Sequence, residues 1–149
     1  MDYKKAFYEI LDKTSEIALA TTVDNIPDVR IVSHCCDERR PGVIYFQTNN
    51  PKSKKVSDIA QNSNVAFTTV PIGKSIANVR SNNAVVCRSV YAFDELKHLF
   101  VAKVPEYEEA YDEYGHSMIV FEIHVKEAVV VVDYGIKKGV VEFFTPTTA

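Results

Sequence analysis

The stretch from Ile17 to Thr48 constrains the fold more than any other part of the chain. It holds three runs of β-branched and small apolar residues, Ile17 to Val23, Val29 to Cys36 and Val43 to Thr48. Between them lie the turn formers Asp24-Asn25-Ile26-Pro27-Asp28 and Arg39-Arg40-Pro41-Gly42. Links this short reverse the chain but cannot carry a parallel crossover, so the three strands are expected to be antiparallel neighbours. Asn49-Asn50-Pro51 then ends the third.

The remaining pattern alternates short helices with more strands. Tyr3, Phe7, Ile10 and Leu11 recur at helical spacing until Thr14-Ser15, and Val56, Ile59 and Ala60 do so among Lys54, Lys55, Asp58 and Gln61. Val65 to Val70 reads as a strand, and Ile76 to Tyr91 as a long or bent one interrupted by Ser81-Asn82-Asn83. Phe93 to Val101 and Pro105 to Tyr114 read as helices, the second with Pro105 in its first turn, where the missing N–H does no harm. Met118 to Val125, Ala128 to Tyr134 and Val140 to Phe144 complete the reading as three strands. The expectation is a mainly β fold with short helices, an antiparallel or mixed barrel rather than a doubly wound sheet. The apolar run Ala128-Val129-Val130-Val131-Val132 needs cover on both faces, which points to a second copy of the chain and a homodimer.

Composition narrows the partners. The 149 residues suit one domain spanning residues 1–149, and 46% apolar with 25% charged residues is ordinary for a globular chain. A net charge of −3 supplies no basic field for nucleic acid or an anionic membrane, so a small-molecule substrate fits better. With no signal-like start and no run long enough to span a bilayer, the cytoplasm is the expected compartment. Cys35 and Cys36 are neighbours that point to opposite strand faces, and all three cysteines read as small core or half-buried residues. His34, His98, His116 and His124 lack metal-binding spacing, so no metal site is expected. His34 shares a strand face with Arg30 and Val32 and reads as a core histidine. The Tyr107, Tyr111, Tyr114 stripe reads as the packed face of an acidic helix, or as a lid.

The chemistry concentrates between Arg30 and Lys55. Arg30 begins Ile31-Val32-Ser33, Gln47 and Thr48 end the next strand, and Ser53-Lys54-Lys55 open a helix. Cations and hydroxyls at strand ends and a helix N-terminus are what binding a phosphate monoester requires. Lysines in a first helical turn oppose the helix dipole, and a bound anion resolves that conflict.

The order Pro27-x-x-Arg30-Ile31-Val32, Tyr45-Phe46-Gln47-Thr48, Ser53-Lys54-Lys55-x-x-x-Ile59 and Asn64-Val65-Ala66-Phe67 resembles the pyridoxamine 5′-phosphate oxidase family. That resemblance implies a Greek-key-like split β-barrel binding FMN in a groove completed by a partner subunit. It implies that Arg30, Lys54 and Lys55 meet the phosphate, that Arg30 to Ser33 lie along the flavin, and that Gln47 and Thr48 touch the ring and ribityl chain. Ser53 belongs to the same motif, and Asn78 on a later strand is a further candidate. The true oxidases end in a basic, tryptophan-containing segment, whereas this chain has no tryptophan and ends Val141-Glu142-Phe143-Phe144-Thr145-Pro146. It is therefore more similar to the shorter flavin reductase and nitroimidazole-resistance-type relatives. Three functions stay open: an FMN-dependent oxidoreductase taking electrons from reduced nicotinamide, a flavin- or haem-binding carrier or sensor, and an unliganded structural dimer.

Overall fold

A computed structural model describes residues 1–143. Helix α1 (Tyr3–Lys13) starts where the Asp2 side chain accepts the Lys5 N–H at 3.0 Å, and it turns Phe7, Ile10 and Leu11 inward. Burying those three side chains contributes on the order of 5–9 kcal/mol before conformational entropy is set against it. Strands β1 (Glu16–Val23) and β2 (Ile26–Cys36) then form a hairpin around Asp24-Asn25, whose φ values of 52° and 63° are those of a tight two-residue turn. The turn is shorter than the sequence suggested, because Asp and Asn tolerate the left-handed region and let Ile26, Pro27 and Asp28 join β2.

The chain continues through β3 (Val43–Thr48), α2 (Lys54–Gln61), β4 (Asn64–Thr69), β5 (Asn78–Arg88), α3 (Phe93–Lys103), α4 (Tyr107–Tyr114), β6 (Ile119–Val132) and β7 (Lys137–Glu142). Strand order β3-β2-β1-β4-β5-β6 closes on itself through β3–β6 pairing, giving a six-stranded antiparallel barrel with β7 added beside β6. The Met118–Val125 and Ala128–Tyr134 runs are one strand, not two. Lys126 and Glu127 are both exposed and shift the burial phase, while β5 shows register irregularities opposite them, so the strand bends without ending. Strand β5 is shorter than expected and passes through Ser81-Asn82-Asn83. Strand β7 begins earlier than expected, and Phe144 lies outside the described residues. Among the described residues, no helix is long and apolar enough to cross a membrane.

The barrel interior is filled by Ile17, Leu19, Val32, Ile44, Phe46, Phe67, Val79, Ile123 and Val130, with α1 and Ile59 of α2 packed against them. A second cluster lies on the outer face of β2, β3 and β6, where Phe93, Leu96 and Phe100 of α3 cover Cys35, Tyr45 and Val120. The apolar run in β6 is covered differently from expectation. Ala128 and Val130 face the core and Val131 is also buried within the chain, so the run does not by itself require a partner. Val29 and Ile31 on β2 are among the apolar side chains left exposed, at 64% and 53%. Cys35 and Cys36 do point to opposite faces, but Cys87 is exposed rather than half-buried.

Gly42 starts the β3 side of its turn at φ 76°, and a Cβ there would sit 2.7 Å from Phe143 Cγ. Gly42→Ala is therefore expected to destabilise the protein by about 1–3 kcal/mol through combined backbone strain and overpacking. Urea unfolding measures this, and an unchanged midpoint would show that the turn has another conformation.

Candidate functional site

The barrel wall opens between β2 and β3. Their ladder pairs only His34–Phe46, Cys35–Tyr45 and Cys36–Ile44, although β2 extends back to Ile26 and β3 runs on to Gln47 and Thr48 beside β6. The His34 N–H donates to the Ser15 carbonyl at 3.0 Å, on the β1 side. Backbone polarity alternates along an antiparallel strand, so the main-chain groups of Ile31 and Ser33 point the other way, into the opening. Pro27 points the same way, which is why its missing N–H breaks no ladder bond. The side chains follow the second alternation: Val29 and Ile31 outward, Arg30, Val32 and His34 inward.

At one end of this opening, two cations, Arg30 and Lys54, meet two carboxylates, Asp28 and Asp58. Arg30 donates through Nη1 to Thr21 Oγ1 at 2.7 Å and through Nη2 to Asp28 at 3.2 Å and to the buried Asp58 at 3.3 Å. The Thr21 hydroxyl in turn donates to Asp58 at 2.8 Å. Lys54 donates to Asp58 at 2.8 Å and reaches Asp28 at 2.9 Å, so its charge is already matched. The Lys54 hydrogen bond, with Thr21 behind it, holds the Asp58 carboxyl below the usual range, and the carboxylates in turn raise Lys54. Lys55 differs. It is half-buried, makes no ion pair or hydrogen bond among the described residues, and is held below the ordinary lysine range by burial and by Arg30.

Ser53 is the N-cap of α2, yet its hydroxyl makes no cap bond and its Oγ is buried without a partner. Gln47 donates its amide to the Tyr107 hydroxyl at 2.7 Å and leaves Oε1 buried and unpartnered. Buried polar atoms are almost always paired, so an orphaned Ser53 Oγ two residues from an unpaired Lys55 ammonium fits a polar ligand carrying an anionic group, and Gln47 Oε1 is a second unsatisfied acceptor. Thr48 faces inward and bonds to the backbone of Asn50. Of the sequence candidates, Arg30, Ile31, Val32 and Ser33 lie on β2, Gln47 and Thr48 end β3, and Ser53, Lys54 and Lys55 open α2, with Val32 itself a core side chain. Asn78 does not join them: it starts β5, beyond β1 and β4 from β2, and donates to the Ile76 carbonyl. Sequence reasoning missed Thr21, Asp28, Asp58 and Tyr107. Only the Lys54–Asp58 spacing on one helix face could have signalled any of them.

His34 is fully buried. Its Nε2 lies 3.2 Å from Thr14 Oγ1, while Nδ1 has no partner. Burial, reinforced by Lys103, pushes its pKa from 6.5 down to about 3. The unfolded chain therefore binds a proton below pH 6.5 that the folded chain refuses. Stability is expected to be flat above that pH and to fall towards pH 3, by up to ~1.4 kcal/mol per unit. Urea midpoints between pH 5 and 6.5 measure the slope, and His34→Gln should flatten it; an equal slope in the variant would assign the dependence elsewhere.

On the far side of β3, Arg40 grips Glu122 with two bonds at 2.9 and 3.1 Å and donates to the Tyr45 hydroxyl at 2.7 Å. Ser89 donates to the same carboxylate, and His124 Nε2 lies 2.9 Å from it. The Tyr107 and Tyr111 rings pack inward against Phe93, whereas Tyr114 is exposed.

The same architecture occurs in solved structures. A NimC/NimA family protein from Clostridium acetobutylicum aligns over 94% of this chain and 92% of its own, at 19% identity and a TM-score of 0.69. A haem-binding protein from Mycobacterium smegmatis aligns over 95% of this chain but 58% of its own, at 17% identity and a TM-score of 0.74. A FAD-binding protein from Mesorhizobium loti aligns over 82% and 88%, at 13% identity and 0.61. At these identities the likeness shows the fold. No curated protein matches the sequence. Residues 10–138, which hold the barrel and the opening, match the pyridoxamine 5′-phosphate oxidase-like family, and the chain belongs to that family.

Proposed function

We propose that this chain is an FMN-binding oxidoreductase that passes electrons from reduced nicotinamide to a small acceptor. The observation that carries the reading is the half-buried Lys55, without an acceptor beside Arg30, next to the unpartnered Ser53 Oγ. In this reading Lys55 and Ser53 take the phosphate, Arg30 and Lys54 supply field and position, and Gln47 and Thr48 with the Ile31 and Ser33 backbone hold the rest. Flavin, once bound, supplies the redox chemistry, so no side chain need act as acid or base. The protein's part is to bind, orient and shield.

The haem-binding relative supports a second reading, a carrier or sensor on the same barrel. An absorption spectrum of the purified protein after incubation with FMN or haem separates the two ligands, and oxidation of reduced nicotinamide with FMN present separates enzyme from carrier. Flavin bands with turnover are expected. Haem binding without flavin binding would overturn the proposal.

The functional unit in this reading is a homodimer. An open groove of about 400 Å³ runs over the outer barrel face along Ala18, Ala20, Val29, Ala66 and Val129, beside the exposed Ile31. Such a stripe of small and apolar side chains suits a symmetric partner. Ala20→Arg is expected to give a monomer with weakened FMN binding, read by sedimentation velocity at protein and flavin wavelengths; a monomeric wild type that binds FMN fully would remove the shared site.

A further inference from the structure

Cys87, Glu122 and His124 share the outer face of two adjacent strands. Glu122 and His124 are two apart on β6, and Cys87 is the direct cross-strand partner of Glu122 on β5. Their Sγ, carboxylate and imidazole atoms all lie within 4.8 Å of one another. None of the three belongs to the flavin reading.

We propose that Cys87, Glu122 and His124 form a binding site for a thiophilic divalent cation of the zinc type. Thiolate, imidazole and carboxylate together are the donor set that zinc takes, and three protein ligands leave a fourth position for water or another donor. Tetrahedral bonds of about 2.0–2.3 Å require donor atoms roughly 3.3–3.8 Å apart. The His124–Glu122 contact is already shorter, at 2.9 Å. The thiol needs to close in by at most about 1 Å, which an exposed side chain can do by rotation. The strands need not move, because the register fixes all three positions. Binding replaces the contact between His124 Nε2 and Glu122 Oε1 with two metal bonds. The Cys87 thiol proton leaves to solvent, and His124 gives up the Nε2 proton it donates to Glu122, so that the neutral ring ligates through Nε2 and carries its one proton on Nδ1.

Arg40 sets the affinity. It remains bound to Glu122 Oε2, fixing the carboxylate as a supporting group around a metal does, while its positive charge opposes the cation. The site is therefore an exchangeable one, weaker than a closed four-ligand zinc centre.

The test is titration of the purified full-length protein with Co²⁺, followed by competition with Zn²⁺. One Co²⁺ per chain is expected, with a thiolate charge-transfer band in the near ultraviolet that Zn²⁺ abolishes. Cys87→Ser should remove the band, and His124→Asn should weaken binding at least tenfold, with both variants folded by circular dichroism. Cys36→Ser should leave the band intact. Absence of a stoichiometric site, or a band that survives Cys87→Ser, would overturn the proposal. Flavin binding measured on the same variants is expected to be unchanged, so the outcome is independent of the oxidoreductase reading.

Discussion

Lys55→Ala is expected to weaken FMN binding by about ten- to a hundredfold and to leave riboflavin binding within about twofold. A charge-assisted contact to phosphate contributes roughly 1.5–3 kcal/mol, and riboflavin has no phosphate to lose it. The ion pairs set an order among the cations. Lys54 already bonds to Asp28 and Asp58, so a phosphate must compete for it, and Lys54→Ala is expected to cost less than Lys55→Ala. Arg30 is also committed, through Thr21, Asp28, Asp58 and the Leu19 carbonyl, so Arg30→Ala should lower both FMN affinity and stability. Fluorescence titration of both flavins against the three variants tests the order. Equal losses for FMN and riboflavin, or a larger loss at Lys54 than at Lys55, would remove the phosphate from this end of the opening.

That order could not be read from the sequence. The motif shows Arg30, Lys54 and Lys55 as equivalent cations, because the carboxylates that distinguish them arrive from elsewhere. Asp58 comes from the next helical turn, and Asp28 was assigned to a turn that proved to be part of β2. The strands themselves were legible for a local reason. Period-two and continuous apolar runs end at Gly, Pro, Asn and Asp in this chain, and Val43–Thr48 matched its run in full. Barrel closure was not legible, since β3 meets β6 across some seventy residues and only side-chain fit inside the barrel selects that pairing. The apolar run at Ala128–Val132 does not by itself decide on a partner, because Ala128, Val130 and Val131 are buried within the chain while Val129 lines the open outer groove.

The same limit applies to the candidate chemistry. Gln47 was visible as a motif residue, but Tyr107, which orients its amide, sits sixty residues away on a helix whose other tyrosines do not reach β3: Tyr111 stacks on Phe93 and Tyr114 is exposed. The Cys87, Glu122 and His124 cluster escaped because no spacing rule joins a residue on one strand to a pair on the next. It takes the β5–β6 register to bring them together.

The register also makes Glu122 the costliest charge to strand. Arg40→Met is expected to destabilise the protein by about 2–3 kcal/mol at neutral pH. Removing one partner of a fully buried pair costs roughly 3–5 kcal/mol, and Arg40, whose side chain keeps 30% of its surface, is partly screened. Methionine preserves much of the packing of Arg40 against Tyr45 and Tyr91, so the loss reports the charge. Burial alone would raise the Glu122 pKa; Arg40, Ser89 and His124 overcome it and bring it down to about 2 from 4.5. A depressed carboxylate stabilises the fold above pH 4.5 and loses that contribution as pH falls towards 2. The Arg40→Met deficit should therefore be full at pH 7 and shrink below pH 4.5, as Glu122 takes up a proton and no longer needs its cation. Arg40→Met combined with Glu122→Gln should recover part of the loss at pH 7, because no unpaired charge is left buried. Urea unfolding of the wild type, Arg40→Met, Glu122→Gln and the double variant at pH 7 and pH 4 measures these differences. A double variant that loses the sum of both single effects would show that the two residues stabilise the barrel separately, not as a pair.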